Sequence, residues 1–471
     1  MLHVSTRGEA PALRFADALL AGLARDGGLY VPENWPGLTR DTIRGFAGKP
    51  YAAVAKTVLG PLVDGEIAES ALGAMIEDAY ATFRHAAVCP LTQLGDNLFV
   101  LELFHGPTLA FKDVAMQLLG RLMDHVLKER GARATIVGAT SGDTGSAAVE
   151  AFKGLDRVDI FILYPHGRVS DVQRRQMTSV DSPNVHALAV EGTFDDCQAM
   201  VKGMFNHARF RDELQLSGVN SINWARVAAQ AVYYFTSAVA LGSPHRPVSF
   251  SVPTGNFGDI LAGWAAKRMG LPIERLMIGT NANDILARTL HTGSYEIKTV
   301  QPTASPSMDI QISSNFERLL FEAYDRDGAA IRRLMAGLAQ SKAFSLDEAP
   351  LARIRQEFAA EAVGEADVAA EMAETYRATG YVLDPHTAVG TRAGRALLAE
   401  RPDVPVIALS TAHPAKFPDA VEKATGIRPA LPPHMADLME RPERFTVLPN
   451  DQGAVERFIR ERARAVRGVA A

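Results

Sequence analysis

The stretch Asn97-Leu-Phe-Val-Leu-Glu-Leu-Phe104, followed directly by His105-Gly-Pro-Thr-Leu-Ala-Phe-Lys112-Asp113, decides how the surrounding chain folds. Its first half is a compact apolar run, which predicts a buried strand. Residues 111–130 then have helical periodicity and end before Gly131, a residue type that often follows the last turn of a helix. A buried strand leading through a short loop into a helix is typical of a parallel sheet covered by helices.

The same alternation continues along the chain. Strands are predicted at 134–138, 158–164, 185–190, 248–252, 275–279 and 404–409, and helices at 144–153, 170–178, 194–210 and after 258. Before residue 90 the spacing is mainly helical, most clearly at 10–23 and 66–83. Together these patterns predict an α/β protein in which helices cover both faces of parallel sheets.

Composition narrows the class of protein. The chain has 471 residues, enough for two or three domains, with 47% apolar residues and a net charge of −5. The sequence contains no block of basic residues of the kind that indicates nucleic-acid binding. Cys89 and Cys197 are too far apart in sequence to suggest a disulfide framework or a zinc site. No metal site is expected, since no histidine pair has ligand spacing. Without a visible secretory signal or an apolar run of about 18–20 residues, the cytoplasm is the expected location and no membrane is involved.

Three turns have unusual composition and follow predicted strands: 139–145, 253–259 and 410–416. In open parallel sheets, ligands bind beyond the carboxyl ends of the strands. The turn Pro253-Thr-Gly-Asn-Phe-Gly-Asp259 has the glycines and the following helix of a phosphate-binding loop, although a plain strand-to-helix turn would look similar. Asp259 adds a negative charge there, which argues against phosphate.

The turn Ala139-Thr-Ser-Gly-Asp-Thr-Gly145 suits another anion, such as a substrate carboxylate. It offers hydroxyl groups and the N–H groups of a helix N-terminus. The alternative is that Ser141 or Asp143 simply caps the helix.

Lys112 also allows two interpretations. Most lysines are exposed, and Asp113 could pair with this one. The functional alternative is a desolvated amine whose lowered pKa makes it a nucleophile for Schiff-base formation. Trp224, Tyr233 and Tyr234, on one predicted helix, are expected to belong to the core.

The segment Pro107-Thr108-x-x-Phe111-Lys112-Asp113 resembles the lysine motif of the fold type II pyridoxal-phosphate enzymes, and this version is most similar to that of the threonine synthases. Further segments agree with the longer bacterial and fungal branch of that family, in the same order: Thr6-Arg7-Gly8, Asp26-Gly-Gly-Leu-Tyr30, Ser141-Gly-Asp-Thr-Gly145, Asn220-Ser-Ile-Asn-Trp-Ala-Arg226, Ser305-Pro-Ser-Met-Asp-Ile-Gln-Ile-Ser-Ser-Asn-Phe-Glu317, Asp384-Pro-His-Thr-Ala388 and Ser410-Thr-Ala-His-Pro-Ala-Lys416. The resemblance implies two parallel-sheet α/β domains with the cofactor in the cleft, and a mainly helical N-terminal region. The expected boundaries are 1–90 for the N-terminal region, 91–245 for the smaller domain with Lys112 and 246–471 for the larger domain with the phosphate loop.

The resemblance also implies roles for individual residues. Lys112 corresponds to the catalytic lysine that binds pyridoxal 5'-phosphate (PLP) as a Schiff base. The other implied cofactor contacts are Asp143 at the 3′ oxygen, Gly255, Asn256, Phe257, Gly258 and Asp259 at the phosphate, and Thr411 at the pyridine nitrogen. The implied substrate contacts are Ser141, Gly142 and Thr144 at the carboxylate, and Asn220 and Arg226 at the phosphate.

Two positions depart from the shorter branch of the family, which has Asn where this chain has Asp143 and Asp259. An aspartate beside the cofactor's phenolic oxygen would have to be protonated or turned away. Asp259 could cap its helix instead of touching the phosphate.

The implied reaction converts O-phospho-L-homoserine and water to L-threonine and phosphate, a lyase step of threonine biosynthesis in which Lys112 moves protons at Cα and Cβ. The alternatives are a PLP-dependent phospho-lyase or hydroxy-amino-acid dehydratase on the same scaffold, and a non-catalytic regulator that kept the fold. The oligomeric state, monomer or homodimer, and the role of residues 1–85 stay open at this point.

Overall fold

The computed structural model describes residues 1–467. Its strands are β1 (Leu2–Ser5), β2 (Leu13–Arg14), β3 (Tyr30–Pro32), β4 (Leu91–Gly95), β5 (Leu98–Glu102), β6 (Ala134–Ala139), β7 (Val158–Pro165), β8 (Val185–Glu191), β9 (Leu216–Ser217), β10 (Val248–Pro253), β11 (Ile273–Thr280), β12 (Ser294–Glu296), β13 (Ala343–Ser345), β14 (Phe358–Ala362), β15 (Val406–Ser410) and β16 (Thr446–Pro449).

The α-helices are α1 (Phe15–Ala21), α2 (Arg40–Arg44), α3 (Tyr51–Val63), α4 (Glu69–Tyr80), α5 (Lys112–Glu129), α6 (Asp143–Phe152), α7 (Asp171–Thr178), α8 (Phe194–Asn206), α9 (Ala208–Glu213), α10 (Trp224–Ala240), α11 (Gly258–Arg268), α12 (Ile285–Thr292), α13 (Phe316–Ala323), α14 (Gly328–Ser341), α15 (Glu348–Glu357), α16 (Glu365–Thr379), α17 (Pro385–Glu400), α18 (Pro418–Thr425), α19 (Gln452–Arg462) and α20 (Arg464–Arg467). Short 3₁₀ turns occupy Pro306–Met308, Pro414–Lys416 and Pro433–Met435. None of the helices in residues 1–467 has the length and apolar character needed to cross a membrane.

Two largely parallel sheets organise the chain and confirm the α/β prediction. The larger has six strands in the order β14-β11-β10-β15-β5-β4, in which only β4 is antiparallel to its neighbour. The smaller has five parallel strands in the order β16-β8-β7-β6-β9. Residues of β7 and β10 are buried along their whole length, as expected for strands of a sheet that is covered on both faces.

Strand pairing does not follow the expected domain boundaries. β4 and β5 lie within the expected 91–245 domain, but β5 pairs with β15 and so belongs to the larger sheet. Conversely, β16 lies in the expected 246–471 domain and pairs with β8 of the smaller sheet. The chain therefore leaves the larger sheet just before Lys112, which places this lysine at the junction of the two sheets. A strand's spatial partner depends on long-range packing, which local periodicity does not encode.

The predicted core residues are confirmed. Trp224, Tyr233 and Tyr234 of α10 are at most 1% exposed. They belong to an apolar core that also includes residues of α3, α5 and β10. Burial of each such large side chain contributes about 2–3 kcal/mol relative to exposure, so α10 anchors the site-bearing elements on either side of it.

The N-terminal region contains more strand than its helical spacing predicts. β1 pairs antiparallel with β2 and β3. This small sheet is tied to α13, because Thr6 Oγ1 donates a hydrogen bond of 2.7 Å to Glu317, and Arg7 reaches both oxygens of that carboxylate at 3.1 and 3.0 Å. The fully buried Arg318 donates to the Tyr30 carbonyl at 2.9 Å.

Glu317→Gln is expected to lower the free energy of unfolding by about 2 kcal/mol, because charge-assisted hydrogen bonds to a half-buried arginine are lost. Urea denaturation of the variant and the wild type would measure this difference. Glu9→Gln is the matched control, since Glu9 pairs with Arg332 at an exposed position and its loss should change stability by about 0.5 kcal/mol or less. Equal effects of the two changes would contradict the docking role of Glu317.

Candidate active site

Lys112 begins α5, and its amine is buried beside polar side chains. Its Nζ lies 3.4 Å from Asp143 Oδ2 and 3.4 Å from Ser307 Oγ, and the residue is 8% exposed. Burial lowers the pKa of Lys112, and the nearby cations Lys416 and Arg226 lower it further, against the raising effect of Asp143. The site thus contains an amine that loses its proton more readily than an exposed lysine does.

The neighbour in sequence is not the partner of this amine. The Asp113 carboxylate accepts hydrogen bonds of 2.7 Å from both the backbone N–H and the hydroxyl of Thr108. Burial nevertheless raises the pKa of Asp113 to about 6. The structural interpretation of Lys112 as an exposed lysine paired with Asp113 is therefore wrong.

Asp143, the first residue of α6, is held ionised by cations. Lys416 Nζ and Gln173 Nε2 each lie 2.8 Å from its Oδ1 atom. Burial alone would raise the pKa of Asp143, but Lys416 and Lys112 together hold it well below its usual range. The sequence argument, which required this aspartate to be protonated or turned away, missed both Lys416 and Gln173. Lys416 closes the motif 410–416 and could have been considered, whereas Gln173 carries no sequence signal.

The turn before α6 leaves backbone N–H groups without protein partners at the N-terminus of this helix. Thr140 Oγ1 accepts hydrogen bonds of 2.9 Å from the N–H groups of Gly142 and Gly145. The N-cap residue of α6 is Gly142, and the side chain that satisfies an N–H group of the first turn is Thr140, so the capping alternative for Ser141 and Asp143 is not what the structure contains. Among the described residues, no protein group accepts from the N–H groups of Ser141, Asp143 or Thr144, and these remain free for an anion.

The loop before α11 has the form expected of a phosphate cradle. Within residues 1–467, the backbone N–H groups of Gly255, Asn256, Phe257 and Gly258 have no protein acceptor, and they stand at the N-terminus of an 11-residue helix. Phe257 adopts a left-handed φ of 62°, which turns successive N–H groups toward one side. A Cβ atom on Gly255 would lie 2.9 Å from the Ser307 carbonyl oxygen, so only glycine fits this approach.

Asp259 takes no part in that cradle through its carboxylate. Its Oδ1 atom accepts hydrogen bonds from Tyr233 and Tyr234 of α10, the latter at 3.1 Å. Burial raises the pKa of Asp259 to about 7, so a large fraction is neutral near physiological pH. The expectation that Asp259 caps the helix is also not met, because α11 has no side-chain cap.

Arg226 supplies a second buried cation near Lys112. It is 4% exposed and donates to the Val219 carbonyl at 3.0 Å, while its buried Nε atom has no partner among the described residues. Burial lowers the pKa of Arg226 to about 10, which leaves it charged at neutral pH. Asn220 is exposed, and its side chain makes no hydrogen bond to another described residue.

Thr411 follows β15 and lies next to the lysine loop. Its carbonyl accepts a hydrogen bond of 2.8 Å from the Phe111 N–H, and no described protein group bonds its hydroxyl. Ser307, which sequence reasoning did not single out although it lies in the motif 305–317, has its N–H 3.3 Å from His386 Nε2. The opposite His386 nitrogen, Nδ1, lies 2.9 Å from Asp384, which orients the ring.

These groups match the chemistry of one cofactor. The free N–H groups at 255–258 suit a phosphate, the unpaired Thr411 hydroxyl suits a ring nitrogen, and the desolvated Lys112 amine suits an aldehyde. Lys112 contacts the Ser307 hydroxyl, and the Ser307 backbone lies close to Gly255. The amine and the loop at 255–258 therefore belong to one site. The fold and the site together define a PLP-dependent enzyme of fold type II.

Comparison with known proteins agrees with this class. The family model for pyridoxal-phosphate dependent enzymes matches residues 87–405, and models for the threonine synthase N terminus and C-terminal part match residues 2–80 and 387–459. The threonine synthase of Pseudomonas aeruginosa is 54% identical over 460 residues, which cover 98% of each chain. A PLP-bound threonine synthase from Brucella melitensis superposes with a TM-score of 0.96 at 61% identity, covering 98% of this chain and 100% of that one. Yeast threonine synthase gives a TM-score of 0.93 at 39% identity, covering 98% of each chain. The chain belongs to the threonine synthase family.

Gly142→Ala is expected to weaken PLP binding at least about tenfold, because a Cβ atom there would lie 2.3 Å from the Gln173 amide carbon and displace the side chain that holds Asp143. Titration of the apoprotein with PLP, followed by visible absorbance, would measure the affinity. Gly154→Ala is the matched control: it also has a positive φ, of 74°, but a Cβ atom there meets nothing within 4 Å. Equal loss of affinity in both variants would mean that backbone strain alone is responsible.

Proposed function

We propose that this enzyme converts O-phospho-L-homoserine and water to L-threonine and phosphate in the cytoplasm. One observation carries the proposal: the desolvated Lys112 amine lies among groups suited to three anions. These groups are the N–H groups at 255–258, those of Ser141, Asp143 and Thr144, and the buried Arg226 guanidinium. A substrate with both a carboxylate and a phosphate, bound beside a phosphorylated cofactor, requires three such places.

We assign the cofactor contacts from the donors that the protein leaves free. The backbone at 255–258 would hold the PLP phosphate, Thr411 the pyridine nitrogen, and Lys112 the aldehyde carbon. Asp143 would face the 3′ oxygen side of the ring as an anion held by Lys416. When bound, PLP draws electrons from the bonds of the substrate's Cα and so makes its protons removable.

The substrate would be oriented by its two charged ends. Its carboxylate fits the N–H groups of Ser141 and Thr144 and their hydroxyls, while the Gly142 N–H is already bonded to Thr140. Its phosphate fits Arg226, whose planar guanidinium can bind two phosphate oxygens at once. Asn220 would complete this phosphate site by turning inward.

Lys112 is the group that would move the protons. Its lowered pKa makes the neutral amine available as a base at lower pH than that of an exposed lysine. The amine would take the proton from Cα and then one from Cβ, after which the Cγ–O bond breaks and phosphate leaves with the bonding electrons. Addition of water at Cβ and return of protons to Cγ and Cα give L-threonine.

The direct test is incubation of the PLP-loaded protein with O-phospho-L-homoserine, with free phosphate and amino acids measured together. We expect phosphate and threonine in equal amounts, and no turnover by Lys112→Ala, which should also lack the visible absorbance of bound PLP. A 2-oxo acid in place of threonine would instead indicate a phospho-lyase or dehydratase, and no phosphate release by the wild type would contradict the proposal.

Arg226→Met is expected to raise KM for O-phospho-L-homoserine by about 100-fold, because the substrate phosphate loses a bidentate, desolvated contact. Steady-state kinetics on the PLP-saturated variant would measure the change, and its visible spectrum would confirm that cofactor is bound. Arg392→Met, at an exposed position, is the matched control and should leave KM unchanged. An unaltered KM in Arg226→Met would assign the substrate phosphate to another site.

A further inference from the structure

Lys416 is a buried cation that the proposed reaction does not use. It is 0% exposed and ends the 3₁₀ turn after β15. Its Nζ atom lies 2.8 Å from Asp143 Oδ1 and 2.8 Å from the carbonyl oxygen of Thr108. A lysine held so completely from water is rare, since desolvation of an ammonium is costly unless it is paired.

The two oxygens of Asp143 are shared unequally between two lysines. Oδ1 has the two short contacts of 2.8 Å, to Lys416 and Gln173. Oδ2 has only long ones, 3.4 Å to Lys112 Nζ and 3.5 Å to Ser307 Oγ. Most of the negative charge of Asp143 is thus balanced by Lys416, and the amine of Lys112 is only loosely held.

The same ammonium joins three segments of the site. The Thr108 carbonyl belongs to the loop that leads to Lys112, Asp143 begins α6 of the smaller sheet, and Lys416 lies on the turn that also carries Thr411. One side chain therefore fixes the relative position of the lysine loop, the ring-facing carboxylate and the hydroxyl proposed for the pyridine nitrogen.

We propose that Lys416 is a positioning residue that neutralises Asp143, so that Lys112 is not retained as an ammonium by its own ion pair. This inference rests on the proposed role of Lys112 as the amine that binds PLP and moves protons. Without Lys416, Asp143 would have Lys112 as its principal counterion, and the Lys112 amine would keep its proton to higher pH.

The charges that face Lys112 make the direction of each change definite. They are Asp143 from α6, Lys416 from the turn after β15, and Arg226 from α10. Removal of Lys416 removes a cation and raises the pKa of Lys112, whereas removal of the Asp143 charge lowers it. A purely structural role of Lys416 would not produce shifts of opposite sign in the two variants.

The experiment measures covalent attachment of PLP to apoprotein, from the growth of visible absorbance after mixing, as a function of pH. Attachment requires the free Lys112 amine, so its rate reports how much of that amine is unprotonated. We expect Lys416→Met to attach PLP about tenfold more slowly at neutral pH and its profile to lie at higher pH than that of the wild type. Asp143→Asn should shift the profile to lower pH, and Lys416→Arg should restore it toward the wild type.

The variant Lys416→Met could fail to fold, because it leaves the buried Asp143 carboxylate without its main counterion. The double variant Lys416→Met/Asp143→Asn removes both charges and therefore allows the same test. Its profile should lie at higher pH than that of Asp143→Asn, and its apoprotein should unfold at a higher temperature than Lys416→Met. Lys423→Met, which removes an exposed lysine, should leave the profile unchanged. The role of Lys416 would be overturned if the pH profile of Lys416→Met matched that of the wild type and the profile of the double variant matched that of Asp143→Asn. Because the experiment contains no substrate, this outcome is separate from a failure to form threonine.

Discussion

Electrostatic balance among buried charges is the constraint on which the rest of this site depends. Lys112, Lys416 and Arg226 are three basic side chains at most 8% exposed, and the Asp143 carboxylate lies between the two lysines. Burial makes each charge costly, so each position is determined by its partners more strictly than an exposed side chain would be. The same burial lowers the pKa of Lys112, so the burial that fixes the positions of these side chains also makes the Lys112 amine more reactive.

The two aspartates that depart from the shorter branch of the family show how strongly surroundings decide chemistry. Asp143 lies against two ammonium groups, and its pKa is far below the usual range. Asp259 lies against Tyr233 and Tyr234, which carry no positive charge, and burial raises its pKa to about 7. One residue type at two positions of the proposed cofactor site is thus an ion-paired anion in one place and a tyrosine-bonded carboxyl group with a raised pKa in the other.

The features predicted from the sequence are those that local patterns encode. Apolar runs located seven strands of the two sheets but not the less apolar or very short β4, β9, β14 and β16, and the strand–turn–helix order located the loops at 141–145 and 255–259. Lys112 could be singled out only together with the other motifs of the sequence, because its position alone favoured an ordinary surface lysine. Gln173, Lys416 and the tyrosine partners of Asp259 escaped, since each acts through a contact between residues distant in sequence. The sheet membership of β5 and β16 escaped for the same reason.

The buried Arg318 links the loop proposed to hold the cofactor phosphate to the N-terminal region. Its guanidinium joins the carbonyl of Tyr30 in the N-terminal region to Asn315, and the Asn315 N–H and side chain both donate to the carbonyl of Asn256 in that loop. The shape of that loop is therefore set in part by a strand more than two hundred residues earlier in the chain. For protein engineering, the N-terminal region is a structural support of the proposed cofactor site, and a chimera between relatives would have to keep Asn315 and Arg318 together and preserve the backbone position of residue 30.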